Sequence, residues 1–224
     1  MHFEILVEDQ SGQAALDILL PKILGGGHTH RVIAYKGVGR IPSGLKGTTQ
    51  PNQRILLDQL PRLLRGYGSA HAKAAAGTAP VVIVVCDLDD KCLKPFRAQL
   101  YDLANACLPA PRVCFCIAIE EGEAWLLGDL AAIRRAYPDA QDKTLRAYVN
   151  DAICGTWEKL ADAIHPNGSA WLRSQGWQSV GTEKCKWARN IAPHMDVDRN
   201  QSPSFVYFRE KLRQLASGQI TTCA

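Results

Sequence analysis

Four short apolar runs, each followed by a helical pattern or a long connection, organise the first half of the chain. They cover residues 2–7, 31–35, 80–86 and 112–119. The third run, PVVIVVC, is apolar at every position, as expected of a central strand buried on both faces of a parallel sheet. Helical spacing follows the first run as far as Ile23, and a second helix is predicted over 94–107. This alternation predicts an α/β fold in which helices flank a mostly parallel, four-stranded, Rossmann-like sheet.

Beyond Asp129 the pattern contains helices only. The predicted helices cover residues 130–137, 142–154, 156–164, 183–192 and 204–215, and the proline- and glycine-containing stretch 165–181 is predicted to be a loop. We therefore divide the chain into an α/β domain over residues 1–129 and a helical extension over residues 130–224 that packs on it.

Composition and charge limit the class of protein. With 46% hydrophobic residues in 224, the chain can bury a core of its own. No apolar window approaches the roughly 18–20 residues of a membrane span, and the start MHFEILVED is acidic where a signal peptide is positive. We expect a cytoplasmic protein without a membrane partner, whose eight cysteines are thiols because several lie in apolar runs. The net charge of +4 suits a polyanionic partner but does not identify one.

Carboxylates follow three of the four predicted strands. They are Glu8 and Asp9 after the first strand, Asp87, Asp89 and Asp90 after the third, and Glu120, Glu121 and Glu123 after the fourth. Ligands of open α/β sheets bind at the carboxyl ends of the strands, and parallel strands bring these ends to one edge. Crowded carboxylates repel one another unless a cation compensates, and oxygen ligands favour Mg²⁺ or Mn²⁺. The sequence therefore predicts a magnesium site at this edge.

Each acidic group also has a structural interpretation. Glu8 or Asp9 alone is better explained as the N-cap of the following helix, and the glutamates after the fourth strand suit a helix N-terminus equally well. For Asp87 and Asp89 we favour the site, because a cap needs only one carboxylate. The coincidence of the three groups is what favours a metal site.

Four segments of the chain resemble TOPRIM-domain proteins. They are ILVEDQSG, VVIVVCDLDD, IEEGEAWLLGD and KCKWARNIAPHMDVDRNQSPSFVYF. The resemblance is closest to small bacterial TOPRIM-like proteins that are related to OLD nucleases and often encoded beside ABC-class ATPases. It spans nearly the whole chain, and EAWLL and SPSF are its most distinctive parts. It implies a TOPRIM fold and a Mg²⁺-dependent nuclease, with Mn²⁺ as a substitute, that cleaves or nicks nucleic acid, with an ATPase partner in phage defence or repair.

The resemblance also implies roles for particular residues. Glu8 would act as a metal ligand or general acid/base, and Asp87 and Asp89 would bind magnesium. Glu121 and Glu123 are the candidates for supporting a second metal ion. Lys184 is a candidate transition-state cation or phosphate anchor, against the alternative of a solvated surface lysine. Many TOPRIM sequences have glycine directly after the glutamate, whereas this chain has Asp9.

The glycine-rich segment from Lys36 to Arg40 and onward to Lys46–Gly47 is a candidate phosphate-binding loop. Lys36 and Arg40 supply cations on a flexible backbone, but the loop lacks the GK[ST] ending of a nucleotide-binding P-loop. A solvated connection is an equally good interpretation.

Other polar and aromatic residues favour structural roles. Asp196 and Asp198 repeat the D-x-D spacing, but a turn or cap suits them better than a metal. The five tryptophans could stack bases, although most tryptophans at helical positions pack in cores.

Two other functions remain open from the sequence. In a HAD-like phosphatase, Asp87 would be the nucleophile and Asp89 the acid/base, although that chemistry usually places its D-x-D on the first strand. A non-catalytic accessory subunit that binds metal or nucleic acid would use the same residues as a nuclease.

Overall fold

A computed structural model describes residues 1–45, 53–75, 79–152 and 154–219 of the protein. Four strands form one sheet: β1 (His2–Val7), β2 (Thr29–Ala34), β3 (Val81–Asp87) and β4 (Val113–Ala118). Their order is β2-β1-β3-β4, and every neighbouring pair is parallel. The predicted α/β class with a parallel four-stranded sheet is confirmed, and Lys46–Gly47 of the predicted phosphate loop lie outside the described residues.

Ten α-helices surround the sheet within the described ranges. They are α1 (Gln10–Leu24), α2 (Leu56–Lys73), α3 (Leu93–Asn105), α4 (Glu123–Leu127), α5 (Leu130–Ala136), α6 (Asp142–Arg146), α7 (Thr156–Ile164), α8 (Gly168–Ser174), α9 (Trp177–Ile191) and α10 (Pro203–Ala216). A short 3-10 turn, Ala192–His194, continues α9. None of the helices in the described part of the chain is long and apolar enough to cross a membrane.

The second half of the chain is helical as predicted, but two boundaries were wrong. The helix predicted over 142–154 ends after Arg146, and Asp151 has a positive φ of 55° that no regular helix allows. The loop predicted over 165–181 contains α8 and the start of α9. Gly168 and Gly176 have φ values of 69° and 89° and lie at the starts of these helices. These glycines therefore separate short helices instead of marking one long loop.

The two faces of the sheet pack against different helices. Strand residues such as Ile5, Ile83 and Cys116 pack with α1 and with helices after Asp129, including α9 and α10. The alternate residues, such as Leu6 and Val84, pack with α2 and α3. Strands buried on both faces explain the uninterrupted apolar sequence of β3. The helices after Asp129 thus share a core with the sheet, and the domain boundary placed at that residue stays a prediction.

The cysteines are mostly free thiols. Six are unbonded, namely Cys86, Cys92, Cys107, Cys116, Cys154 and Cys185. Cys114 on β4 is disulfide-bonded, so the expectation that all eight cysteines are thiols was wrong. An apolar strand position indicates burial of the side chain but does not determine whether its sulfur finds a partner.

Candidate functional site

A cleft opens at the carboxyl ends of β1 and β3, between the N-terminus of α1, the start of α4 and the middle of α9. Its polar lining consists mainly of Glu8, Asp9, Ser11, Asp87, Glu123 and Lys184. Helix α1 approaches β1 very closely here, since a Cβ atom on Gly12 would lie 2.5 Å from Val7 Cγ2. The cleft thus brings together residues that are far apart in the sequence.

Glu8 follows the last residue of β1 and faces the end of β3. Its Oε2 accepts a hydrogen bond from the Asp87 backbone N–H at 3.2 Å. Burial raises the pKa of Glu8 to about 7; the Asp87 N–H opposes this shift, while the charges of Asp89 and Asp9 add to it. The surroundings of Glu8 therefore contain too little positive charge to stabilise its ionised form.

Asp87 is the last residue of β3 and lines the same cleft. Burial, followed by the negative charge of Glu8, raises the pKa of its carboxyl well above the usual range. Lys184 opposes this shift, and Glu123 strengthens it. Ionised Asp87 is therefore costly in this position unless more positive charge is supplied.

Asp89 lies at the rim of the cleft. It follows the end of β3 with a positive φ of 49°, and its backbone N–H donates to the Glu120 carbonyl at 3.0 Å. Its carboxylate is 42% exposed and pairs with Lys91 at 2.7 Å. Strand alternation stops at Asp87, so the two carboxylates of the D-x-D motif do not point to one place. The Asp89 charge nevertheless acts on Glu8.

Among the residues that the structure describes, Lys184 on α9 is the one lysine in the cleft lining. Its Nζ lies 2.8 Å from Glu123 Oε2 and 3.7 Å from Glu121 Oε1. The Glu123 side chain is only 3% exposed, and its Oε2 has no hydrogen-bond partner in directed geometry, so this contact is mainly ionic. Burial raises the pKa values of both glutamates, to about 7 for Glu121, while Lys184 lowers them.

Three of the predicted acidic residues cap helices. Asp9 accepts from the Gly12 N–H at 2.7 Å and is the N-cap of α1. Glu120 accepts from the backbone N–H groups of Gly155 and Thr156, at the start of α7. Glu121 accepts from the Thr156 hydroxyl and, at 3.4 Å, from the Trp157 N–H. The cap interpretation therefore holds for Asp9, whereas Glu120 and Glu121 contact the start of the sequence-distant α7 and not the start of α4, the helix that follows them.

The two distinctive sequence motifs, EAWLLGD and NQSPSF, contact each other. Trp125 Nε1 donates to Ser204 Oγ at 3.0 Å, and Asn200 Nδ2 donates to the Trp125 carbonyl at 2.8 Å. Asp151 accepts from the Ser202 hydroxyl and the Ser204 N–H at 2.8 and 2.6 Å. These bonds fix α4, and hence Glu123 at its start, against α10. Asp151 carries no signal in the sequence, because it lies inside a segment predicted to be helical.

The predicted phosphate loop lies beside Glu8. The Gly37 N–H donates to the Glu8 carbonyl at 3.0 Å, and the Arg40 N–H donates to Asp58 Oδ1 at 3.0 Å. The side chains of Lys36 and Arg40 are exposed. The backbone of the loop is thus docked on β1 and α2, while its two cations face solvent next to the cleft.

The remaining candidates have structural positions. Asp196 accepts from the Asp198 N–H at 3.0 Å, and Asp198 pairs with Arg213 at 2.5 Å, as expected for a turn. Three tryptophans, Trp125, Trp157 and Trp187, are buried, whereas Trp171 and Trp177 are exposed. Only the latter two could present a ring face to a base.

The cleft has the donor chemistry of a site for a hard divalent cation. Four carboxylates and one lysine line it, and oxygen donors are those that Mg²⁺ prefers. Glu123 Oε2 is already paired with the Lys184 ammonium at 2.8 Å, so the carboxylates left for an ion are chiefly Glu8 and Asp87. In the described residues, no three aspartate, glutamate, histidine or cysteine side chains already form a group that could hold a metal. The carboxylates therefore fit such a cation by type and charge, although they do not form a closed ligand set.

The fold and the cleft together define an α/β protein with an acidic site at the carboxyl ends of a parallel sheet. A family model described as a domain of unknown function (DUF4276) matches residues 7–213. This match covers most of the chain, and the protein therefore belongs to the DUF4276 family. No curated protein matches the chain. No solved structure matches it either.

Proposed function

We propose that the protein is a Mg²⁺-dependent nuclease of the TOPRIM type that cleaves or nicks phosphodiester bonds in nucleic acid. One observation supports this proposal above all. Glu8 and Asp87, from the ends of adjacent strands, share a cleft in which four carboxylates face a single lysine. Acidic residues concentrated in this way are typical of sites that bind a divalent cation.

The electrostatics of the cleft favour a cation. Burial raises the pKa values of both Glu8 and Asp87; the charges of Asp89 and Asp9 add to the shift of Glu8, and the charge of Glu8 adds to that of Asp87. A divalent ion between them would reverse both effects, because it attracts the ionised forms and supplies the missing positive charge.

The residues of the cleft would have different roles in metal binding and proton transfer. Glu8 and Asp87 would bind the ion, and Asp89 would reach it from the rim or act through it on the substrate. A bound Mg²⁺ supplies charge neutralisation for the phosphate and activation of a water molecule. If Asp87 holds the ion without Glu8, Glu8 would instead act as the general acid/base, the alternative role that the TOPRIM resemblance implies for it.

Nucleic acid is the proposed substrate class. Lys36 is exposed and directly precedes Gly37, whose N–H donates to the Glu8 carbonyl, and Arg40 is an exposed cation further along the same loop; both would contact phosphates of the substrate. The net charge of +4 suits a polyanion. An ABC-class ATPase partner, a role in phage defence or repair and a cytoplasmic location follow from the TOPRIM resemblance and are part of this proposal.

Cleavage assays with isosteric variants test the function. Supercoiled plasmid and labelled single-stranded oligonucleotide are incubated with the wild type, Glu8→Gln and Asp87→Asn, in Mg²⁺, Mn²⁺ or EDTA. We expect metal-dependent cleavage by the wild type and a loss of roughly 100-fold or more in both variants. Asp17→Asn is the matched control. It changes an exposed carboxylate on α1 and should keep full activity.

Other outcomes would point to the other functions. Full activity in both Glu8→Gln and Asp87→Asn would remove the proposed site. Turnover of small phosphomonoesters with a trapped phospho-aspartate, and no cleavage of nucleic acid, would favour the phosphatase. Binding of DNA or of an ATPase without cleavage, even in the complex, would favour the accessory subunit.

A further inference from the structure

We infer that Lys184 takes the place of a second metal ion, so that the cleft binds one divalent cation per chain, with an ammonium group as its second positive charge. This inference rests on the proposed function, since it concerns the metal content of the same site. It assigns Glu121 and Glu123, which the TOPRIM resemblance made candidates for a second ion, to holding this lysine.

The geometry of the lysine supports this assignment. Lys184 Nζ contacts Glu123 Oε2 at 2.8 Å and lies 3.7 Å from Glu121 Oε1, and the lysine side chain is only 13% exposed. Burial by itself would lower the pKa of Lys184, but Glu123, Glu121 and Asp87 raise it well above its usual value. The ammonium is therefore charged at neutral pH and lies between the two glutamates.

The glutamates offer little to a second metal ion. Glu121 Oε2 is engaged by the Thr156 hydroxyl and the Trp157 N–H at the start of α7. Glu123 Oε2 is buried against the ammonium. A metal ion that took these oxygens would leave a buried lysine charge without its partners, which is a strongly unfavourable change. Within the described part of the chain neither Glu8 nor Asp87 forms such a close ion pair, although Glu8 Oε2 accepts the Asp87 N–H, and these two carboxylates would bind the single ion.

This arrangement differs from a two-metal site in its chemistry. In two-metal sites a pair of ions about 3.5–4 Å apart stabilises both the attacking and the leaving oxygen. An ammonium group can neutralise charge on a phosphate but cannot activate water as a metal does. Lys184 would therefore stabilise the charge that develops on the phosphate, while the single ion and Glu8 activate the nucleophile.

Counting bound Mn²⁺ tests the inference without measuring activity. The full chain is titrated with Mn²⁺ by calorimetry, and free Mn²⁺ is followed by electron paramagnetic resonance. We expect one ion per chain in the wild type and two in Lys184→Gln, because the variant frees Glu121 and Glu123. The double variant Glu123→Gln/Lys184→Gln loses one of these carboxylates and should return to one ion. Lys186→Gln, on the same helix but exposed, is the control and should bind one ion.

The possible counts separate the inference from the proposed function. Two ions in the wild type, or one in a folded Lys184→Gln variant, would overturn the role of Lys184 and leave a metal-dependent nuclease possible. No ion in the wild type would remove the metal site itself. If circular dichroism shows that Lys184→Gln does not fold, the wild-type count decides: two ions would overturn the inference, and one ion would support it.

Discussion

Two acidic residues on the same strand side of the sheet, the buried Glu4 and the half-buried Glu8, differ in how their charge is compensated. Glu4, within β1, is 7% exposed and receives two hydrogen bonds from Arg31, at 3.2 and 2.9 Å, and one from the Tyr67 hydroxyl at 3.2 Å. At the carboxyl end of the same strand, Glu8 receives one backbone N–H and faces other carboxylates. A structural carboxylate such as Glu4 is surrounded by hydrogen-bond donors. A carboxylate surrounded by like charges, such as Glu8, is typical of a ligand-binding site.

The largest expected difference between the two sites is in activity. Glu8→Gln should reduce metal-dependent cleavage by roughly 100-fold or more, whereas Glu4→Gln should leave the rate per folded molecule unchanged. Both variants exchange one carboxylate oxygen for an amide nitrogen in a side chain of equal size. Initial rates with a labelled oligonucleotide, corrected for the folded fraction, measure the difference. Equal losses in the two variants would show that the effect comes from the fold and not from the site.

The free energy of unfolding should fall in Glu4→Gln and not in Glu8→Gln, which is the reverse of the order expected for activity. Glu4→Gln should lower the free energy of unfolding by about 1–3 kcal/mol, because Arg31 and Tyr67 lose a charged acceptor. In EDTA, Glu8→Gln should not lower it, because the variant removes a charge from repulsive surroundings. Urea denaturation of both variants and the wild type in EDTA gives the two values. A destabilisation of Glu8→Gln as large as that of Glu4→Gln would mean that Glu8 serves the fold.

The pH dependence of stability sharpens the same contrast. The pKa of Glu8 is raised from 4.5 to about 7 in the folded protein, so the folded state binds this proton more tightly than the unfolded state. The contribution to stability is fully present below about pH 4.5 and is lost as the pH rises through about 7. Thermal melts in EDTA should therefore show a steeper loss between pH 5 and pH 8 in the wild type than in Glu8→Gln.

Bound metal should restore the stability that the folded protein loses as the pH rises. Added Mn²⁺ should raise the melting temperature more at pH 8 than at pH 5, because the ligands must be ionised to bind it. Parallel pH profiles for the wild type and Glu8→Gln, with equal effects of Mn²⁺ at both pH values, would argue against an ionisable metal site.

The smallest expected effect concerns the loop beside Glu8. Lys36→Ala should weaken binding of an oligonucleotide several-fold and reduce the slope of log K against log salt by about one, if Lys36 neutralises one phosphate. Lys186→Ala, an exposed lysine that pairs with Glu183, is the control and should change neither value. Fluorescence anisotropy in EDTA over a range of salt concentrations measures both. An unchanged slope in Lys36→Ala would assign the loop to a purely structural role.

Much of the fold was predictable because its signals are local. The apolar run of β3 and the helical spacing of α1 and α10 follow from the burial of neighbouring residues along one element. Helix α7 was predicted with its observed bounds, whereas the end of α6, the whole of α8 and the start of α9 were mispredicted, because they depend on Asp151 contacting α10 and on glycines that begin helices. These are tertiary contacts that no local pattern contains.

The site was predictable in position but only partly in detail. The topology of a parallel sheet is enough to bring Glu8 and Asp87 to one edge. That Glu120 caps α7 could not be foreseen, because the Thr156 N–H that it accepts from is 36 residues away. Nor does the D-x-D spacing show that Asp89 turns to the rim, since a positive φ after a strand ends the alternation on which the spacing argument depends.

A crystal structure of the protein with Mn²⁺ would test most directly whether Glu8 and Asp87 share a divalent ion. Anomalous scattering of Mn²⁺ should give one peak in the cleft, within about 2.0–2.3 Å of an oxygen of each of these two carboxylates, with Lys184 still between Glu121 and Glu123. A cleft without a peak at saturating Mn²⁺, or a peak that Glu8 and Asp87 do not contact, would contradict a metal centre at this edge of the sheet.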